Sequence, residues 1–157
     1  GHPFPYISNL SLNLAVVVRH GGRTKFARVK LPDVLPRFVP IPERLGTRGS
    51  QTFVFLEDVV KANLPRLFPG TTVKGAYLFR VVRDADLVIQ EDEADDLLES
   101  IDQSLRQRRH GALSLLTVEY GVPRRVLDIL SENFEIEDEN VFRTKERLGF
   151  SDWMQLT

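Results

Sequence analysis

Leu12-Asn13-Leu14-Ala15-Val16-Val17-Val18, then His20-Gly21-Gly22-Arg23, then Lys25-Phe26-Ala27-Arg28-Val29-Lys30-Leu31 is the stretch on which the fold turns. Its first segment is short, rich in β-branched residues and partly alternating, as suits a strand buried on one side. Adjacent glycines tolerate positive φ, so His20 to Arg23 reads as a tight turn. Lys25 to Leu31 is then the returning strand of a hairpin. In it Ala27, Val29 and Leu31 share one face, and Phe26, Arg28 and Lys30 share the other.

Beyond the hairpin, Pro32, Pro36, Pro40 and Pro42 make the chain extended and irregular, with little chance of helix. Leu45 to Gln51 reads as a mobile loop. Thr52 to Phe55 forms a strand that leads into a helix near Glu57, where Glu57 and Asp58 suit the positive end of the helix dipole. Val60, Leu64 and Leu67 supply its apolar stripe. Pro65 disfavours helical geometry at Leu64, so a kink or an early end is expected, and Phe68-Pro69-Gly70 closes the element. Val73 to Val82, dense in Val, Tyr, Leu and Phe, is the best candidate for a central strand.

The second half is richer in helix. From Asp92 to Arg109, Ala94, Leu97, Leu98, Ile101 and Leu105 fall on one helical face. Acids from Glu91 to Asp96 crowd the start of that helix and Arg106, Arg108 and Arg109 crowd its end, both complementing the macrodipole; Gly111 stands at a left-handed cap. Ala112 to Val118 is another strand. Pro123 opens a helix through Phe134 with Val126, Leu127, Leu130 and Phe134 inward, and Val141 to Lys145 is the last strand. Ser151-Asp152 begins a helix that stops at Thr157 about one turn later, which is marginal by itself and suggests a piece of something longer. The expectation is a single α+β domain over residues 1–157, with a mixed, largely antiparallel sheet and three to four helices.

Composition bounds the function. The 157 residues are 42% hydrophobic and contain no cysteine, which excludes a disordered polar chain, a disulfide framework, a thiol nucleophile and a thiolate metal site. No apolar run approaches the roughly 18 residues of a membrane span, and no signal-peptide pattern opens the chain. A cytosolic protein is the simple reading. Net charge is −1, but residues 1–83 carry 13 Lys/Arg against four Asp/Glu, a balance of +9, and residues 84–157 carry eight against 18, a balance of −10. The basic half raises the question of an anionic partner.

Catalytic chemistry is poorly provided for. His2 lies at the terminus, His20 precedes a glycine turn and His110 ends a helix, so each has a structural explanation. No phosphate-binding loop or dinucleotide fingerprint is present. Asp84-Ala85-Asp86 starts like a calcium loop, but Val88 and Ile89 occupy positions that need an oxygen ligand and a glycine. The Glu91 to Asp96 carboxylates are better explained by the dipole than by a cation. Phe79 to Asp86 is the most suggestive segment, since arginine's planar fork suits phosphate. In a regular strand, though, Arg80 and Arg83 point to opposite faces. No aromatic-basic sheet signature supports nucleic-acid binding.

Several collinear segments resemble the polyphosphate kinase family: Pro3 to Val16, Phe26 to Lys30, Arg37-Phe38-Val39-Pro40, Leu56-Glu57-Asp58-Val59, Leu67-Phe68-Pro69-Gly70, Phe79 to Asp86, Glu91 to Leu98 and Val141 to Gly149. The part resembled is the middle, or head, domain of a much longer protein. The resemblance implies an enzyme that reversibly transfers the ATP terminal phosphate to inorganic polyphosphate through a phosphohistidine carried by a later domain. ATP and Mg²⁺ would be held mainly outside this segment. No histidine here matches the active-site motif, so no catalytic, cofactor-binding or metal-binding residue is carried over.

The resemblance further implies a part in dimer assembly and in walling the substrate path, with the remaining domains, a homo-oligomer formed through the full-length protein, and inorganic polyphosphate as partners. It implies an architecture like that of small phosphohistidine phosphatases, and leaves peripheral membrane attachment of a cytoplasmic parent enzyme open. Arg28, Lys30, Arg80 and Arg83 are the candidate anion contacts. The rivals are an assembly module whose basic residues never meet polyphosphate, and a stand-alone anion-binding or phosphohistidine-handling protein.

Overall fold

The computed structural model describes residues 7, 10–83, 113–145, 147 and 148. Backbone pairing orders the strands β2-β1-β5-β6-β7 in a five-stranded sheet and β3-β4 in a two-stranded one. These are β1 Leu12–His20, β2 Arg23–Lys30, β3 Phe38–Ile41, β4 Thr52–Phe55, β5 Thr72–Arg83, β6 Leu113–Glu119 and β7 Val141–Thr144. The two α-helices among the described residues are α1 Leu56–Leu67 and α2 Arg124–Phe134. The sheet is mixed: β1 and β2 run antiparallel, whereas β6 and β7 run parallel. The expected helix from Asp92 to Arg109, its cap at Gly111 and the one opening at Ser151 lie outside the described residues, as do Asp84 to Asp86, Glu91 to Asp96, His2 and His110.

The chain packs as two compact units, one of Leu12–Phe79 with Glu146–Thr157 and one of Gly1–Ser11 with Arg80–Lys145. In the first, β1 and β2 form the expected hairpin, with Leu14 opposite Val29, Val16 opposite Ala27 and His20 opposite Arg23. Gly21 and Gly22 have φ of 55° and 76°, the doubly positive pair that matches the twist of a two-residue hairpin. Leu14, Val16, Val18 and Leu31 join Leu64 of α1, Leu78 of β5 and Leu148 in one apolar cluster, against which Ala27, Val29, Val60 and Phe68 pack. Ala27, Val29 and Leu31 share one face as expected, and the structure makes that face the inward one.

Three expectations need correction in this unit. The Leu12–Val18 strand is buried on both faces, since Asn13 and Ala15 on the opposite row are 0% and 3% exposed; the side chain of Arg28 on neighbouring β2 reaches over that row to Asn13 Oδ1. The proline-rich stretch holds β3, in which Pro40 opposes Phe53. A two-strand ribbon leaves each strand with an unpaired side, where a residue lacking N–H is tolerated. A three-residue 3₁₀ turn, Glu43–Leu45, follows it.

Helix α1 also runs past Pro65 to Leu67. Proline sits in its last turn, Phe68 N–H still bonds the Leu64 carbonyl at 3.0 Å, and burial of Leu64 to 1% exposure outweighs the local preference. Leu67 falls off the stripe and is exposed.

The second unit contains a strand–helix–strand segment, β6–α2–β7, with Leu116 opposite Val141 and Val118 opposite Arg143. Val126, Leu127, Leu130 and Phe134 are all buried, as the periodicity requires. Pro123 stands immediately before the first helical residue, and Glu135 ends α2 in the left-handed region. Arg143 pins the β6–α2 turn by donating to the carbonyls of Tyr120 and Val122 at 3.1 and 2.6 Å.

Replacing Gly22 by Val forces a β-branched residue to positive φ, and about 1–2 kcal/mol of stability should be lost. Urea unfolding should show a lower midpoint at unchanged slope.

Candidate functional site

The hairpin register sets the surroundings of the first two candidate contacts. Arg28 lies opposite Ala15 and Lys30 opposite Asn13, so both stand on the row away from the apolar cluster. Arg28 is half-buried, and its Nη1 donates to Asn13 Oδ1 at 2.9 Å. Its Nε is buried and meets no acceptor. Desolvation by burial holds its pKa below the ordinary arginine value. No carboxylate among the described residues pairs with it. Lys30 is differently placed: Nζ meets Asp33 Oδ2 at 3.2 Å, with both side chains exposed, a contact worth little in water.

Arg80 and Arg83 belong to the other unit. Arg80 is half-buried in β5 and engaged by neighbours, and Arg83 is the last residue of β5. The structure thus brings Arg28 and Lys30 together on one face of the hairpin. His20 anchors that hairpin's end through Nδ1, 3.0 Å from the Gly70 carbonyl.

A denser charged cluster lies where β3, β4 and α1 meet. The β3–β4 ribbon pairs Phe38 with Phe55, their rings 5.2 Å apart and tilted by 47°. Leu56 N–H donates to the Arg37 carbonyl at 2.7 Å. That geometry sets Arg37 beside the first turn of α1, where its guanidinium grips Glu57 with a fork of 2.7 and 3.3 Å. Arg147 adds a 3.4 Å contact to Glu57 and a 2.9 Å one to Asp58. Both guanidinium carbons stand over the Phe55 ring, Arg147 at 3.8 Å and Arg37 at 5.7 Å. The Glu57 side chain is only 2% exposed and that of Arg37 10%.

This knot holds three chain segments and leaves its carboxylates saturated by arginine. Among the described residues no three His, Asp or Glu side chains gather as metal ligands would, so no step through a metal is assigned to this chain. Charge counting placed Glu57 at the helix start, which is its position, and missed that it is buried between two arginines. The signal was present in another form. The resemblance rested on Arg37 to Pro40, Leu56 to Val59 and Val141 to Gly149, and these stretches supply Arg37, Glu57 and Arg147.

A mixed-sheet α+β domain with charge-bearing faces is the class these features define. The family described as "Polyphosphate kinase middle domain" matches residues 1–156, and the chain belongs to that family. Polyphosphate kinase 1 of Chlorobaculum tepidum is 44% identical over 99% of this chain and 23% of its own length. A polyphosphate kinase of Dictyostelium discoideum is 39% identical over 99% of this chain and 15% of its own. The crystal structure of polyphosphate kinase from Porphyromonas gingivalis matches with a TM-score of 0.72 at 27% identity, over 97% of this chain and 21% of that one. The chain spans less than a quarter of the length of these relatives.

Glu57→Gln should cost about 3 kcal/mol in chemical unfolding, because it leaves two guanidinium groups facing a neutral amide. Arg147→Ala should cost about 1 kcal/mol or less, since its side chain is 45% exposed.

Proposed function

We propose that this chain works as the middle domain of an enzyme that reversibly transfers the terminal phosphate of ATP to inorganic polyphosphate, through a phosphohistidine formed outside these 157 residues. The observation that carries the reading is the family match across residues 1–156. The two compact units act together as that domain. Its role is assembly of a homo-oligomer with the remaining domains and lining of the path that the polyanion follows. ATP and Mg²⁺ are held by other parts of the enzyme.

Phosphoryl transfer depends on positioning and on neutralising charge, and a domain without a phosphorylated residue contributes through both. Arg28 supports this part of the reading: its guanidinium is desolvated, permanently charged and bonded to a neutral amide. A phosphate oxygen fits such a donor better than a water does. Lys30, Arg80 and Arg83 are the other candidate anion contacts, each taken by itself. A mixed sheet with helices supports an architecture like that of the small phosphohistidine phosphatases, a likeness that carries no phosphatase activity with it.

Incubation with γ-labelled ATP should label the longer enzyme and leave the 157-residue chain unlabelled; stable label on this chain would sink the non-catalytic assignment. Arg28→Ala should weaken polyphosphate binding at low salt about tenfold, the worth of a charged hydrogen bond, with Arg80→Ala and Arg83→Ala weakening it as well. Binding unchanged in all three variants leaves assembly as the domain's one role.

A further inference from the structure

The end of the hairpin carries cations that the substrate path described above does not use. Arg19, Arg23 and Lys25 are exposed there around the Gly21-Gly22 turn. The His20–Gly70 hydrogen bond ties this end to the turn that follows α1. Arg66, exposed in the last turn of α1, leads into that turn, and Lys74, also exposed, leaves it along β5. Arg23 faces His20 across the strands and Lys25 faces Val18, so both stand on the α1 side of the hairpin. Spaced two residues apart, they are about 7 Å from one another along the strand.

Acids are missing from this region. Neither residues 12–32 nor residues 59–83 contain an Asp or Glu. Of the four acids described in this unit, Asp33 pairs with Lys30, Glu57 and Asp58 pair with Arg37 and Arg147, and Glu43 stands exposed in the 3₁₀ turn after β3. Among the described residues none of Arg19, Arg23, Lys25, Arg66 and Lys74 forms an ion pair. Arg19, opposite Thr24, stands on the other row of the hairpin; the exposed, unneutralised Arg23, Lys25, Arg66 and Lys74 remain on this braced corner to attract a polyanion electrostatically.

We propose that this corner is a docking site for the chain of inorganic polyphosphate, with Arg23, Lys25 and Arg66 as its centre and Lys74 at its margin. The inference rests on the polyphosphate kinase reading. Its cations are solvated single contacts, so strength comes from the number of phosphates engaged, and a long chain binds where a short one does not. Polyphosphate is favoured over single-stranded nucleic acid because, among the described residues, no exposed aromatic ring stands at this corner to stack a base.

The test compares the wild-type chain with Arg23→Ala/Lys25→Ala/Arg66→Ala, and with Arg44→Ala/Arg48→Ala/Arg125→Ala as a control of equal charge loss. The probes are long-chain polyphosphate, tripolyphosphate and a single-stranded oligonucleotide, each titrated against salt. None of the six side chains is buried, and both variants should melt as wild type does. The corner variant should lose at least tenfold in affinity for long-chain polyphosphate at low salt. Its salt slope should flatten by about two, at about 0.7 per lost contact; the control should lose far less.

Equal losses in both variants, or no loss in the corner variant, would overturn the site. Oligonucleotide binding as tight and as sensitive to the corner would overturn the choice of polyphosphate. The family reading is tested apart from these: a longer enzyme that makes no polyphosphate from ATP fails that reading, whereas synthesis with polyphosphate binding untouched by the corner variant fails the docking site alone.

Discussion

A carboxylate removed from water is costly unless it is paired and hydrogen-bonded, and Glu57 meets that demand with a forked Arg37 and a second contact from Arg147. The constraint reaches well beyond the ion pairs. Arg37 can reach Glu57 only because its carbonyl caps the first turn of α1 and because β3 and β4 pair as they do. Arg147 brings the segment that also delivers Leu148 to the apolar cluster of the hairpin. Both arginines lie over Phe55, which adds cation–π attraction to the same knot. One buried charge thus sets the junction between ribbon, helix and late chain.

Around that junction the unit divides its charge in an instructive way. Two of its described acids, Glu57 and Asp58, are drawn to one place by Arg37 and Arg147, and Asp33 pairs at the surface with Lys30. The hairpin end keeps its cations unopposed, and the hydrogen bond from His20 to Gly70 braces it. A net charge near zero therefore describes no region of the molecule. Electrostatic attraction of a polyanion depends on local balance within a Debye length, about 8 Å at physiological salt.

Legibility in the sequence followed the range of the interactions. The Gly21-Gly22 turn, the shared face of Ala27, Val29 and Leu31, the Thr52–Phe55 strand and the buried face of α2 are decided by neighbours a few residues apart. Each emerged as read. Pro65 was read as an interruption because local preference was the one term available, and the burial of Leu64 supplied the larger one. The strand at Phe38–Ile41 was hidden by Pro40, which a strand with an unpaired side tolerates. Among candidate contacts, Arg28 and Lys30 were legible as a pair because strand alternation puts them on one face. Arg37, Glu57 and Arg147, separated by 20 and 90 positions, left no periodic trace.

By itself, then, the sequence determined the α+β class, the hairpin, the buried face of α2, the excess of cations in its first half and, through collinear resemblance, the family. The tertiary structure decided which charges are spent and which remain. Glu57 looks like any acid at a helix start until β3 and the segment at Arg147 close over it. Arg23 and Lys25 look like Arg28 and Lys30 until register separates the two rows. Pairing of charges is a property of three-dimensional distance, falling off with separation in space and indifferent to separation along the chain. Composition can count such groups, and only packing can say which of them still face outward.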